Sequence, residues 1–206
     1  MRISWLGDSA VLIDDVEPAQ RSALAQYIQT APPAIRARMG MNSIAVQSSA
    51  PDADLLATVD KLIAAADVAH LPHIQGQHIE IPTRFDGDDL SAIAQRLGLS
   101  TAEFIDEFTD IDWRVELIGF APGFPYLKPV QATPWLDSIT RLDSPRTRVP
   151  AGSVAIAAGM AAVYPSAMPG GWNLLGRTEL VMFDAMSEQP SLLNIGDTVR
   201  FVEASS

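Results

Sequence analysis

The chain has 206 residues, 48% of them apolar and 19% charged, a balance that builds a packed globular protein and excludes a disordered one. Its net charge of −11 argues against nucleic-acid and anionic-membrane partners, and the absence of cysteine removes disulfides, thiolate metal sites and a cysteine nucleophile. No apolar run reaches the roughly 18–20 residues that span a bilayer, and the opening Met1-Arg2-Ile3-Ser4-Trp5-Leu6-Gly7-Asp8 meets a glycine and an acid too early for a signal peptide. The expectation is a soluble, cytoplasmic protein.

The first elements read as a short strand, the turn Gly7-Asp8-Ser9-Ala10, and a buried strand over Val11-Leu12-Ile13. Asp14 to Pro18 has the acids and proline of a helix start, and Leu24, Tyr27, Ile28 and Ala31 then form one apolar face until Pro32-Pro33 stops it. Ser43-Ile44-Ala45-Val46-Gln47 reads as a strand, and Leu55, Leu56, Val59, Leu62 and Ile63 as the buried side of a second helix. Strand, strand, helix, strand, helix makes a small α+β domain, assigned to residues 1–75.

Ala69 to Gln77 reads as a linker, and all three histidines lie in it or directly after it, His70, His73 and His78. Pro72 breaks any helix that would align the first two, so no metal site is expected. The second domain is assigned to residues 76–206. It opens with a strand, Ile79-Glu80-Ile81-Pro82, and a turn and helix cap at Asp86-Gly87-Asp88-Asp89. A helix bearing Leu90, Ile93, Ala94 and Leu97 ends at Gly98, and Ser100-Thr101-Ala102-Glu103 has the form of a capping box for the next, through Phe104, Ile105 and Phe108. The pair resembles a helix-turn-helix, but eight acids against three arginines between Arg84 and Arg114 repel phosphate.

Trp113, Val115 and Leu117 alternate with Arg114 and Glu116 as in a half-buried strand. Beyond it, short apolar runs alternate with turns. Ser153 to Ala157, Ala162 to Tyr164, Trp172 to Leu175, Leu180 to Phe183 and Thr198 to Val202 are the candidate strands of a closed or nearly closed β-barrel.

Three loops share one composition. The first, Ile118 to Leu127, holds Phe120, Pro122, Gly123, Phe124, Pro125 and Tyr126, too much proline and glycine for a sheet interior and too many rings for a solvated loop. The second, Ser144 to Ser153, carries Arg146, Arg148, Pro150 and Ser153. The third runs from Tyr164 through Gly170, Gly171 and Trp172 to Arg177 and Thr178. Converging at a barrel mouth, they would build a concave site with apolar walls and cationic groups for a small anion. Equally, Arg146, Arg148 and Arg177 have Asp137, Asp143 and Glu179 nearby in sequence as ion-pair partners. There is no Gly-x-x-x-x-Gly-Lys phosphate loop and no Gly-x-Ser-x-Gly elbow.

Gly-Phe-x-Pro-Gly-Phe-Pro-Tyr-Leu from Gly119, Pro-Arg-x-x-Val-Pro-Ala-Gly-Ser-Val from Pro145, and Pro-Gly-Gly-Trp-x-Leu-x-Gly-Arg-Thr from Pro169 resemble the family of the 5-oxoprolinase B-subunit, also called the allophanate hydrolase subunit 1 or kinase-A-inhibitor-like family. The resemblance runs over nearly the whole chain. It implies a cyclophilin-like β-barrel after the N-terminal domain, and partner C and A subunits with which the chain opens 5-oxo-L-proline to L-glutamate at the expense of ATP, the chain being inactive alone. It leaves open whether ATP touches this chain. Arg146, Arg148 and Arg177 would contact substrate or phosphate, and Phe120, Phe124, Tyr126 and Trp172 would shape the pocket, with Pro122, Gly123, Pro125, Pro150, Ser153, Tyr164, Gly170, Gly171 and Thr178 around them. Two departures stand out: Phe108-Thr109 where the family has His followed by Thr or Ser, and Lys128-Pro129 where it has a glycine pair. Other roles implied are a component of a urea carboxylase or allophanate system, and an inhibitor docking on a sensor histidine kinase.

Overall fold

The computed structural model describes residues 1–30, 35–49, 52–71 and 76–204. It divides into two compact units, Met1–Gln75 and Gly76–Ser206.

The first unit is a four-stranded antiparallel sheet in the order β1(Arg2–Leu6), β2(Ala10–Asp14), β4(Ser43–Ser48), β3(Ile35–Met39), with helices α1(Pro18–Gln29) and α2(Leu55–Ala65). Alternation puts Val11 and Ile13 of β2 and Ile44 and Val46 of β4 into one core with Leu24, Ile28, Leu55 and Val59. The expected order lacked β3. Ile35, Ala37 and Met39 alternate with Arg36 and Arg38, a strand pattern whose basic half turns outward. Ala31 and the proline pair expected to stop α1 lie outside the described residues, as do Pro72 and His73. His70 pairs with Asp67 at 2.8 Å on the surface, a carboxylate the histidine reading did not consider. Among the described residues no cluster of three metal-ligating side chains occurs, and no helix is long and apolar enough to cross a membrane.

In the second unit seven strands form one sheet in the order β12(Asn173–Arg177), β9(Ser153–Ala157), β10(Met160–Val163), β7(Pro125–Pro129), β6(Asp112–Ile118), β13(Thr198–Glu203), β5(His78–Thr83). Its two edges meet. The N–H of Arg84, just past β5, donates to the Arg177 carbonyl at 2.8 Å, and the Arg177 N–H donates back at 2.9 Å. Gly176 permits this closure: a Cβ there would stand 2.2 Å from the Arg84 carbonyl oxygen. The result is a cyclophilin-like barrel in an α+β protein. Inward residues Ile81, Val115, Leu127, Val154, Ile156, Leu175 and Phe201 fill it, joined by Phe104 and Phe108. Phe104 and Phe108 come from α4(Thr101–Thr109), which follows α3(Leu90–Arg96). The expected capping box forms, Ser100 Oγ accepting from the Glu103 N–H and Glu103 accepting from the Ser100 N–H.

Two expectations fail here. The stretch judged unfit for a sheet interior contains β7, a central strand between β10 and β6. Its prolines stand first and last, Pro125 and Pro129, so the interior keeps its donors. Leu180 to Phe183 is no strand, making only an isolated bridge from Phe183 to Ser191. Met182 is buried as a peg in the barrel core and Val181 faces solvent.

Candidate functional site

Side-chain alternation on β9 builds the site. Val154 and Ile156 point into the barrel, whereas Ala155 and Ala157 point out, as do Ala162 and Tyr164 from and just after β10, and Leu174 from β12. The small outward alanines leave room for rings. Phe124 and Trp172 settle on them, and Val149 of β8(Arg146–Val149) and Met168 of β11(Met168–Gly170) cover the group as a two-stranded flap. The aromatic loop therefore packs on the outer flank of the barrel and not at its mouth.

The rings pack edge to face. Phe124 lies 5.3 Å from Tyr164 and 6.0 Å from Trp172, both at 90°, and 5.2 Å from Tyr126. Phe124, Tyr164 and Trp172 are buried, Tyr126 is half-buried, and Phe120 is 70% exposed with its ring edge-on to Phe124 at 5.4 Å. Phe120 has φ +70°, strained for a bulky L residue. The turn that holds it is pinned by the Phe124 N–H to the Ala121 carbonyl at 3.0 Å and the Gly119 N–H to the Phe124 carbonyl at 3.1 Å. Pro122 is exposed, while Gly123 and Pro125 are buried, Gly123 against Phe183.

The Tyr164 hydroxyl crosses the backbone at Gly170, where a Cβ would stand 2.1 Å from it. Burial pushes its pKa up, while a hydrogen bond from the Trp172 backbone and the charges of Arg141 and Arg146 oppose the rise, and Tyr126 adds to it. Gly171, half-buried, accepts from the Leu142 N–H at 2.7 Å. Ser153 and Thr178 are buried, Thr178 Oγ1 accepting from the Leu180 N–H, and Pro150 is exposed.

The three expected arginines separate. Arg146 Nη2 donates to Asp89 Oδ1 at 2.9 Å, and Asp89 Oδ2 accepts from the Leu174 N–H at 2.7 Å. Asp89 is the N-cap residue of α3 but makes no side-chain cap bond, so its carboxylate staples β8 to β12 instead. Arg146 Nη1 is buried without an acceptor among the described residues. Arg177 pairs at 3.3 Å with Asp86, which also holds Arg84 Nε at 2.6 Å. Arg148 is exposed and has no ion-pair or hydrogen-bond partner among the described residues. The counter-ions are Asp86 and Asp89, and not Asp137, Asp143 or Glu179. Asp89 and Arg141 were missed. Three Asp in the turn at Asp86 to Asp89 were a signal, read only as a cap. An open cavity of about 460 Å³, lined by Lys128, Pro129, Thr133, Asp137 and Gly159 among others, contains none of the expected site residues.

Phe108, where the resemblance implied a histidine, lies wholly inside the barrel, 5.4 Å from Trp113 and 5.1 Å from Phe201. It is a core residue and does not reach the outer cluster.

Comparison with known proteins places the chain. The sequence profile of the carboxyltransferase domain, subdomain C and D, matches residues 1–193. The chain belongs to this family. It is 34% identical over 210 residues to the 5-oxoprolinase B-subunit of Escherichia coli O157:H7, spanning 98% of this chain and 95% of that one. The crystal structure of TTHA0988 superposes with a TM-score of 0.79 at 32% identity over 96% of this chain, which spans 40% of that longer protein. Kluyveromyces lactis urea carboxylase matches with a TM-score of 0.70 over 98% of this chain and 22% of its own length, a likeness of fold alone at 18% identity.

Proposed function

We propose that the chain is the B-subunit of an ATP-dependent 5-oxoprolinase, acting in the cytoplasm with C and A subunits to open 5-oxo-L-proline to L-glutamate. The observation that supports this reading most is the end-to-end similarity to a protein of that name. The urea carboxylase likeness does not select that reaction, because it extends to the fold only.

A lactam carbonyl is a poor electrophile, and phosphorylation of its oxygen opens the carbon to water; the adduct then expels the ring nitrogen, which takes up a proton, and the acyl phosphate left behind is hydrolysed by a second water to the free carboxylate and phosphate. The sequence has no Gly-x-x-x-x-Gly-Lys phosphate loop, and the reading gives ATP to the partner subunits. It gives this chain the 5-oxoproline ring and its carboxylate, the ring against Phe120 and Tyr126, the carboxylate near Arg146 of β8. Asp89 keeps Arg146 extended across β8 and β12 in this role.

Co-purification of the chain with candidate C and A subunits, followed by a 5-oxoproline-dependent ATPase assay, tests this. Activity should require all three chains. Undiminished activity without this one would reject the proposal.

A further inference from the structure

The half-turn before β8 carries an arginine that the three-loop reading omitted. Arg141 is exposed and has no ion-pair or hydrogen-bond partner among the described residues. A lone surface arginine is usually a solubility feature, free to swing. This one is not placed that way.

Its backbone is clamped on both sides. On one side, the buried Asn173 side chain donates to the Thr140 carbonyl at 2.8 Å and, across the barrel strand, to the Ile156 carbonyl at 3.1 Å. On the other, the Leu142 N–H donates to the Gly171 carbonyl at 2.7 Å. Gly171 follows Gly170, over which the Tyr164 hydroxyl lies, and precedes Trp172. Two fixed points one residue to either side hold the Arg141 Cα beside the aromatic cluster. The clamped backbone thus sets Arg141 beside the segment that carries Gly171 and Trp172, and its charge, like that of Arg146 on β8, acts on the Tyr164 hydroxyl.

Of the two arginines whose charges act on Tyr164, only one has a counter-ion. Asp89 neutralises Arg146. Nothing among the described residues neutralises Arg141, and Arg146 Nη1 still has a donor to give. Arg177, expected in this role, is instead held at the barrel seam by Asp86.

We propose that Arg141, with Arg146, forms a carboxylate subsite at the edge of the Phe124, Tyr126 and Trp172 cluster. The assignment of that carboxylate to 5-oxoproline rests on the function proposed above; the subsite itself does not. Arg141 is the exposed, adjustable partner and Arg146 the stapled one. A planar guanidinium suits a carboxylate by two parallel hydrogen bonds, which lysine cannot supply.

The test uses the assembled complex and the full chain. In the complex, Arg141→Ala should raise the KM for 5-oxoproline about 10- to 100-fold, with kcat within about threefold and the melting temperature unchanged, since the side chain is exposed. Arg141→Lys should recover only part of the loss. An unchanged KM in Arg141→Ala, or an effect matched by loss of folded protein, overturns the subsite. If the wild-type complex shows no 5-oxoproline-dependent ATPase, the functional reading fails and the subsite is judged on the chain alone with acetate as probe. Saturating shifts of the Arg141 Nε–H and the Trp172 indole N–H, abolished at Trp172 by Arg141→Ala, support it. Shifts no larger than those of Arg36 and Arg38, two arginines of β3, overturn it.

Discussion

Two aromatic clusters sit on opposite faces of the same barrel wall, and their difference separates architecture from site. The inner one, Phe104, Phe108, Trp113 and Phe201, is wholly buried, and its rings meet mainly each other and aliphatic residues. The outer one, Phe120, Phe124, Tyr126, Tyr164 and Trp172, grades from buried to exposed and has hydroxyls, arginines and one strained backbone at its edge. Both bury large apolar surface, so both stabilise the fold. Only the outer one presents polar groups at a boundary where a ligand or partner can meet them.

The comparison breaks first at Phe108. Phe108→Ala should cost about 3–5 kcal/mol by leaving a cavity among four packed rings, seen as a large fall in the denaturation midpoint. A small cost would mean that the inner cluster is not the structural one. Next comes the staple. Asp89→Ala leaves Arg146 without its counter-ion and the Leu174 N–H without an acceptor, and because both side chains are partly open the loss should be about 1–3 kcal/mol. A double-mutant cycle with Arg146→Ala should show coupling, and its absence would make the pair incidental.

Gly170→Ala should destabilise by about 1–3 kcal/mol through collision with the Tyr164 hydroxyl, and Tyr164→Phe in the same chain should recover part of it by removing the oxygen. Smallest is a pH effect. Burial raises the folded-state pKa of Tyr164, so the native chain keeps a proton that the unfolded chain gives up. Its contribution is intact below the ordinary tyrosine value of 10.0 and is lost as the pH rises beyond it. Tyr164→Phe should flatten the alkaline fall in stability, and an unaltered fall would place the cause elsewhere.

Much of the fold was legible in the residues. The capping box at Ser100, the glycine stop at Gly98, and the alternation in Trp113 to Leu117 all act within a few residues, where sequence spacing carries the physics. The central strand β7 was hidden because prolines were counted without their positions, and at the two ends of a strand they cost no ladder bond. The run Leu180 to Phe183 misled because burial of Met182 needs no sheet. The outer cluster was legible in composition, since its loops share rings, glycine and proline. Its wiring was not, because Asp89 lies 57 residues from Arg146 and 85 from Leu174, and the long-range closure of the turn at Arg84 to Asp89 onto β12 brings those segments together.

The claim that the outer face is the functional one is tested most directly at Phe120, whose exposed ring contributes little to folding. The measurement is 5-oxoproline-dependent ATP hydrolysis by the assembled complex carrying Phe120→Ala, alongside the melting temperature of the variant chain. The account predicts an unchanged melting temperature with kcat/KM for 5-oxoproline reduced at least about tenfold, a loss equivalent to roughly 1.4 kcal/mol of transition-state stabilisation. Wild-type kcat/KM in that variant would contradict it.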